Sequence, residues 1–138
     1  MQYCVFHAYP ENYHKSPTFI TGTIIWFTGF IINLQSDGIL RTLRNTPPTN
    51  IYKIPKGGFF RYVSGANFFG EIVEWAGYAI ASQSLAGLAF LVWVCTNLIP
   101  RANAHHQWYL AKLEDYPKER WAVIPFILDD PVDLNYCT

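Results

Sequence analysis

The stretch "SPTFITGTIIWFTGFIINLQS", residues 16–36, contains no Asp, Glu, Lys or Arg, and it decides the fold class. A second stretch without these residues covers positions 75–100. Each is long enough for the roughly 20 residues with which an α-helix crosses a bilayer. A soluble domain of 138 residues has no interior wide enough to bury two such helices. We therefore expect two transmembrane helices.

The composition of the whole chain supports a membrane protein. Hydrophobic residues make up 51% of it and charged residues only 14%, against roughly 25% charged residues in a typical soluble domain. Because ten basic residues balance ten acidic ones, nothing indicates a nucleic-acid partner. The three cysteines form no CxxC pair, which disfavours a thiolate metal site. The fold class that we predict is all-α, a multi-helix transmembrane bundle.

The two ends of the chain differ in composition from the part between them. Residues 1–17 are aromatic and polar and are interrupted by proline, so we expect an extramembrane loop. Residues 129–138 are acidic and show no periodicity, which predicts a loose tail. The single structural domain should therefore cover residues 18–128.

Prolines and apolar periodicity give the expected helix boundaries. The first span, at about 18–34, should continue as one helix to near Asn45, where "TPPT" stops it. A second long helix should begin near Asn67 and end at Pro100. A third should follow from about Arg101. Together these helices predict part of a larger bundle.

The segment between the first two predicted helices, "NIYKIPKGGFFRYVSGA" at residues 50–66, should be a shaped loop. Its proline and its paired glycines are incompatible with a long regular helix before residue 66. We expect Gly57 and Gly58 to adopt backbone conformations, or to allow close approaches, that a Cβ atom would prevent.

Polar residues recur on one face of each predicted helix, because helical residues three or four positions apart lie on the same side. The three polar stripes are Asn33, Asp37, Arg41 and Arg44, then Asn67, Glu71, Glu74 and Tyr78, and finally Arg101, His105, Tyr109 and Lys112. Taken singly, a charged residue of such a stripe is more often simply solvated. An amide or carboxylate at membrane depth is nevertheless costly without a partner, so we expect the stripes to line one cavity.

The side chains available for such a cavity suit a nucleotide. Arg44 and Arg101 offer planar guanidinium groups that match phosphate, while Tyr52, Trp108 and Tyr109 offer flat surfaces for stacking. Neither G-x-G-x-x-G nor G-x-x-x-x-G-K-[ST] occurs, which excludes a Rossmann or P-loop site on pattern.

The adjacent histidines are not expected to bind a metal ion. Neighbouring helical residues point about 100° apart, so His105 and His106 cannot act as an i, i+4 ligand pair. We expect His105 to face the cavity with Arg101 and Tyr109, and His106 to lie at the headgroup surface.

The sequence contains no clear nucleophile, since neither Ser64 nor Ser82 lies in a recognisable nucleophile elbow. Hydrolysis and acyl transfer are therefore disfavoured. Redox chemistry with a diffusible cofactor needs mainly positioning and a proton donor from the protein, which agrees with the residues present.

Three motifs in order, "NLQSDGILRTLR", "YKIPKGGFFRYVSGANFFGEIVEWAGYA" and "RANAHHQWYLAKLEDYPKERWAVIPFI", resemble the C-terminal half of the steroid 5-alpha-reductases, the 3-oxo-5-alpha-steroid 4-dehydrogenases. The resemblance covers about residues 18–128. It implies a multi-pass protein of the endoplasmic reticulum membrane, with about half of the family's helices present. The implied reaction is NADPH-dependent reduction of the 4,5 double bond of a 3-oxo-4-ene steroid.

The resemblance also implies site residues and partners. The catalytic residues are expected in the N-terminal half of the family, which has no counterpart here, and the expected partners are a steroid or other enone lipid and membrane lipid. The residues implied to bind NADPH are Asn33, Asp37, Arg44, Tyr52, Asn67, Glu71, Arg101, His105 and Tyr109.

Two other functions remain open at the level of sequence. One is a lipid enzyme similar to the trans-2-enoyl-CoA reductases, which resemble this family in their C-terminal region. The other is a catalytically inactive, truncated membrane form that keeps the fold without turnover.

Overall fold

The computed structural model describes residues 10–47 and 52–124. Within these ranges the regular elements are helices, as predicted. The helices are α1 (Pro17–Asn45), α2 (Ala66–Ser82) and α3 (Leu85–Lys112), with short 3-10 helices at Tyr13–Lys15 and Gly58–Arg61. The whole of the predicted acidic tail, residues 129–138, and residues 1–9 of the predicted N-terminal loop lie outside the described residues.

Helix α1 has the predicted length, and local signals explain both of its ends. The Ser16 hydroxyl caps the start by accepting a hydrogen bond from the Phe19 N–H at 3.3 Å, and Pro17 occupies the first helical position. The helix ends at Asn45, as expected, two residues before Pro47. One helix therefore contains both the first apolar span and the polar stripe that follows it.

Helices α1 and α3 are both long and apolar enough to cross a membrane. Only 17% of the most apolar window of each helix is buried inside the protein, so most of these side chains face outward. Exposed examples are Ile24, Phe27, Ile31, Leu85, Leu88 and Trp93. Outward-facing apolar helices of this kind are stable in lipid rather than in water.

The break between the second and third helices differs from the prediction. The chain leaves α2 at Gln83, which has a left-handed backbone with φ of 44°, and α3 begins after Ser84. The Ser84 hydroxyl accepts a hydrogen bond from the Gly87 N–H at 3.0 Å and so caps the new helix. The predicted continuous helix from Asn67 to Pro100 is therefore wrong, although its start one residue away, at Ala66, is confirmed.

Pro100 lies inside α3 instead of ending a helix. Proline removes its own N–H donor and crowds the carbonyl four residues before it, that of Thr96, a change that transmembrane helices can tolerate. In the turn before Pro100, the side chains of Thr96 and Asn97 both donate to the Trp93 carbonyl, at 2.9 and 2.7 Å. The predicted third helix from Arg101 is consequently the second half of α3.

Four glycines form the contact between the antiparallel helices α1 and α2. A Cβ atom built at Gly29 would lie 2.7 Å from the Gly70 carbonyl oxygen, and one at Gly77 would lie 2.7 Å from the Gly22 carbonyl oxygen. These distances are too short for real Cβ contacts, so the two backbones touch only because side chains are missing. The two glycines of each helix, Gly22 and Gly29 on α1 and Gly70 and Gly77 on α2, are seven residues apart. This spacing formed no part of the sequence prediction.

A short parallel pairing joins the loop before α2 to the segment after α3. Ser64 N–H donates to the Trp121 carbonyl at 2.8 Å, and Gly65 N–H donates to the Ala122 carbonyl at 3.0 Å. Val63, Ala122 and Val123 are fully buried at this junction. The pairing fixes the start of α2 against a segment that lies more than 50 residues away in the sequence.

Candidate functional site

A cavity of about 350 Å³ lies between the C-terminal end of α1, the loop before α2, the first turn of α2 and the C-terminal half of α3. The lining residues come from all four segments, so the cavity exists only when the helices are packed. They are Leu40, Leu43, Arg44, Tyr52, Lys53, Phe60, Ser64, Gly65, Asn67, Phe68, His105 and Tyr109.

Five of the predicted cofactor-binding residues line this cavity. They are Arg44, Tyr52, Asn67, His105 and Tyr109. The sequence separates the first and last of them by most of the domain, and the antiparallel packing brings them together. The structure therefore assembles polar groups from each of the three stripes, together with a tyrosine of the loop.

The other four predicted residues do not line the cavity. Asp37 forms an exposed ion pair with Arg41 at 2.9 Å, and Arg101 is exposed on α3 one turn before the cavity. The backbone of Asn33 lies against Gly70 in the contact between α1 and α2, and Glu71 is partly exposed on α2. None of the three stripes therefore faces the cavity along its whole length. A cofactor role for these four residues stays a prediction.

Arg44 and Lys53 give the cavity a positive charge. No aspartate or glutamate is among its described lining residues, so these two cations face no carboxylate within it. The Lys53 ammonium donates to the Thr46 carbonyl beyond the end of α1 and is held near Arg44 by this bond. Such an arrangement attracts an anion. Lys53 was not predicted, because a single lysine in a loop carries no periodic signal.

Aromatic rings form one side of the cavity. The Tyr52 ring centroid lies 4.5 Å from that of Trp108 and 6.3 Å from that of Tyr109. Tyr109 stacks almost parallel on Tyr116, with centroids 5.1 Å apart. Tyr52 is 62% exposed, so its ring face is accessible to a ligand.

We predicted His106 at the headgroup surface, and this prediction is wrong, because its ring faces the protein. Its Nδ1 atom lies 2.6 Å from the Ser64 hydroxyl oxygen, and that oxygen lies 2.5 Å from the Tyr116 hydroxyl. With His105 facing the cavity, a rotation of about 100° along the helix turns His106 toward the segments that carry Ser64 and Tyr116. These two partners were missed because nothing in the local sequence links them to the histidine.

Arg120 ties the loop to the segment after α3. Only 7% of this residue is exposed, its guanidinium donates to the Pro55 carbonyl at 2.9 Å, and its Cζ atom lies 5.3 Å from the Tyr116 ring centroid. A buried guanidinium with both a carbonyl and an aromatic partner is well satisfied. Arg120 was not predicted, because it lies in a segment without periodicity.

The predicted special role of the paired glycines is confirmed by their backbone angles. Gly57 has φ of 105° and Gly58 has φ of 52°, both in the region that favours glycine. A Cβ atom at Gly58 would also lie 3.2 Å from the Gln35 side-chain oxygen on α1. The two glycines thus let the loop turn closely against α1 beside the cavity.

The described residues do not show the arrangement of ligands that a metal site requires. Over positions 10–47 and 52–124, no group of three His, Cys, Asp or Glu side chains is placed to hold a metal ion.

Comparison with known proteins identifies the family. A family model described as 3-oxo-5-alpha-steroid 4-dehydrogenase matches residues 1–128. The chain is 52% identical over 123 residues to 3-oxo-5-alpha-steroid 4-dehydrogenase 1 of Rattus norvegicus, covering 89% of this chain and 47% of that protein. It is 50% identical over 125 residues to 3-oxo-5-alpha-steroid 4-dehydrogenase 2 of Homo sapiens, covering 91% and 48%. The chain thus spans about half the length of these curated relatives. On this family match and these identities, the chain belongs to the 3-oxo-5-alpha-steroid 4-dehydrogenase family.

Proposed function

We propose that this chain supplies the cofactor-binding part of an NADPH-dependent steroid reductase, which reduces the 4,5 double bond of 3-oxo-4-ene steroids. Family membership supports the reaction class, because the relatives are named for a dehydrogenase acting at this position of 3-oxo-5-alpha-steroids. The cavity supports the part that the chain plays. When bound, the reduced nicotinamide supplies the hydride, and the chain's own residues bind and orient the dinucleotide.

The pair of cations in the cavity carries this proposal. A dinucleotide of the NADPH type has a pyrophosphate and a 2′-phosphate, and Arg44 and Lys53 are two cations that no lining carboxylate neutralises. A guanidinium can donate two parallel hydrogen bonds to one phosphate, while an ammonium acts as a point charge beside it. The site therefore favours the cofactor with the additional phosphate.

The uncharged groups of the cavity suit the rest of a nucleotide. The accessible ring of Tyr52 offers a face on which a base can stack, next to Trp108 and Tyr109. Asn67 and His105 supply hydrogen-bonding groups from two different helices. Stacking and polar contacts from separate elements would fix the orientation of the ligand as well as its affinity.

The size of the cavity indicates that it holds one part of the dinucleotide. At about 350 Å³ it lies at the small end of ligand pockets. We propose that the remainder extends along the helix faces that carry the other predicted residues, Asn33, Asp37, Glu71 and Arg101. Arg101 lies one turn before His105 on α3, which is the arrangement that an extended ligand would need.

We also propose that the protein spans the endoplasmic reticulum membrane more than once. The outward-facing apolar surfaces of α1 and α3 support insertion, because both helices are long enough to cross the hydrocarbon core. An apolar steroid would reach such a protein by partitioning into the same bilayer.

The direct test is a titration of the purified chain, in lipid nanodiscs, with NADPH and with NADH. We expect Arg44→Ala and Lys53→Ala each to weaken NADPH binding by at least about tenfold, since a hydrogen bond to a charged group contributes roughly 1.5–3 kcal/mol. NADH should bind more weakly than NADPH to the unmodified chain. The difference between the two affinities should be smaller in the variants.

Arg61→Ala is the matched control, since Arg61 is an exposed cation close to the cavity that does not line it. Its NADPH affinity should equal that of the unmodified chain. Equal losses in all three variants would mean that only general charge matters, and no loss in Arg44→Ala and Lys53→Ala would refute the proposed site.

A further inference from the structure

The Ser64 hydroxyl connects the cavity wall to two separate segments behind it. Ser64 is 5% exposed, and it is one of the residues that line the cavity. Its oxygen lies 2.6 Å from Nδ1 of His106 on α3 and 2.5 Å from the hydroxyl of Tyr116, which follows α3. Both contacts span more than 40 residues of sequence.

The backbone beside Ser64 is fixed to the same segment. Ser64 N–H donates to the Trp121 carbonyl and Gly65 N–H to the Ala122 carbonyl. Helix α2 begins at the next residue, Ala66, and its second residue is Asn67, whose side chain lines the cavity. Any shift of Ser64 would therefore move the start of α2 and the Asn67 amide with it.

The three side chains can form one directed chain of hydrogen bonds. A serine hydroxyl has a single proton, so Ser64 donates in one of its two bonds and accepts in the other. With the His106 proton on Nε2, Ser64 donates to Nδ1 and accepts from the Tyr116 hydroxyl. This pattern uses every donor between the three atoms, and it fixes the side-chain torsion of Ser64.

We propose that Ser64 is a positioning residue. Held by His106 and Tyr116, it sets the start of α2 in the geometry that binds the nucleotide. The inference rests on the proposed function, because its readout is cofactor affinity. His106 and Tyr116 then act through Ser64 and do not touch the ligand; neither lines the cavity.

The hydrogen-bonded polar groups around Ser64 lie among apolar side chains. Phe60, Val63 and Ala66 form one buried cluster beside Ser64, and Ala122 and Val123 belong to another. Apolar side chains of similar size would fill the same space without any desolvation cost. A satisfied polar network instead selects one arrangement, and this is the property that a binding-site wall requires.

Two substitutions of His106 separate positioning from packing. His106→Asn places a polar atom near the former Nδ1 position, whereas His106→Leu keeps more of the volume and removes the acceptor. We expect His106→Asn to keep NADPH affinity within about threefold of the unmodified chain, and His106→Leu to lower it by about tenfold, the value of one or two hydrogen bonds. A packing role predicts the opposite order.

A double-mutant cycle tests the link between the two hydroxyls. Ser64→Ala and Tyr116→Phe should each weaken NADPH binding by about five- to tenfold, and the double variant should lose no more than Ser64→Ala alone, because Tyr116 acts through Ser64. Ser36→Ala is the control, since Ser36 is equally buried on α1 but does not line the cavity. Thermal melting of each variant, without ligand, shows that it is folded.

Each result decides the inference. Binding lost by His106→Leu and retained by His106→Asn, with a non-additive cycle, supports it. Normal NADPH binding by folded Ser64→Ala overturns the inference and leaves the proposed function intact. The same holds if the loss of affinity in the double variant equals the product of the losses in the two single variants. An unmodified chain that does not bind NADPH overturns both the proposed function and this inference.

Discussion

The backbone of Gly57, at φ of 105° and ψ of 163°, turns the loop before α2 toward the cavity. An alanine at this position would need a conformation that a Cβ atom makes unfavourable, at a cost of about 1–2 kcal/mol. We predict that Gly57→Ala lowers the thermal midpoint of the chain in detergent and weakens NADPH binding. Lys56→Ala, the neighbouring exposed residue, should change neither measurement. Unaltered melting and binding in Gly57→Ala would show that the loop is only a connector.

The paired histidines show what adjacency in sequence can and cannot predict. Because neighbouring helical residues point in different directions, only one of His105 and His106 could face the cavity, and the polar stripe selected His105 correctly. The surroundings of His106 were not predictable, because its partner Ser64 lies 42 residues away and the parallel pairing that brings it close has no local signature. Lys53 and Arg120 were missed for the same reason, since both lie outside periodic segments.

At the scale of the helices, the glycine contact between α1 and α2 positions the site. We predict that Gly29→Ala forces the two backbones apart and destabilises the chain by about 1–3 kcal/mol, because the added atom would overlap backbone atoms of α2. Gly77→Ala should behave alike. The measurement is the thermal or denaturant midpoint in one lipid or detergent.

Gly38→Ala is the internal control for this prediction. Gly38 lies on the same helix, and a Cβ atom there would meet nothing within 4 Å. The substitution should leave stability unchanged or raise it by up to about 1 kcal/mol, because alanine favours a helix more than glycine does. A Gly29→Ala variant as stable as Gly38→Ala would rule out close backbone contact between α1 and α2.

The break between α2 and α3 depends on the cap at Ser84. Removing the hydroxyl leaves the Gly87 N–H without its side-chain acceptor, so we predict that Ser84→Ala costs about 1 kcal/mol of stability. Denaturation monitored by helical circular dichroism would measure this change. Thr21→Ala is the control, since Thr21 is an exposed hydroxyl residue inside α1, away from either helix end. An unchanged midpoint in Ser84→Ala would contradict a capped start of α3.

Helix boundaries were predictable where several signals agree and not where they compete. Ser16 and Pro17 mark the start of α1, and its end at Asn45 precedes adjacent prolines, so the sequence predicts both ends. Near α3, Pro100 is the stronger helix-breaking signal in the sequence. The break occurs instead at Gln83, because a residue with a left-handed backbone followed by a serine cap separates the helices there. The glycine spacing that packs α1 on α2 was available in the sequence and was overlooked.

At the scale of the whole molecule, the sequence predicted that polar groups from several helices come together, but not which of them do so. The stripes indicated polar groups converging from three helices, and five of the nine predicted residues do meet at one cavity. The position of the remaining four depends on how the helices pack against one another, which the sequence does not determine. The backbone of Asn33, for example, packs against Gly70 in the α1–α2 contact, and Asn33 is not among the residues that line the cavity.

We predict that the chain alone binds NADPH without reducing a 3-oxo-4-ene steroid. It spans about half the length of relatives that are named for the reaction, and the acid that assists such a reduction typically contributes about 10²- to 10⁴-fold in rate. The assay uses the chain in nanodiscs with NADPH and a testosterone-like steroid, alone and with the N-terminal half of a full-length relative. Turnover by the chain alone at the rate of a complete relative would contradict this prediction.

The most direct test of the central claim is photolabelling of the unmodified chain in nanodiscs with an azido-adenine analogue of NADP, followed by mass spectrometry of its peptides. We predict adducts on peptides containing residues 52–53, 64–68 and 105–109, all of them suppressed by excess NADPH. The cavity assignment would be contradicted by labelling that NADPH does not suppress, or by suppressible labelling confined to the outward faces of α1 and α3.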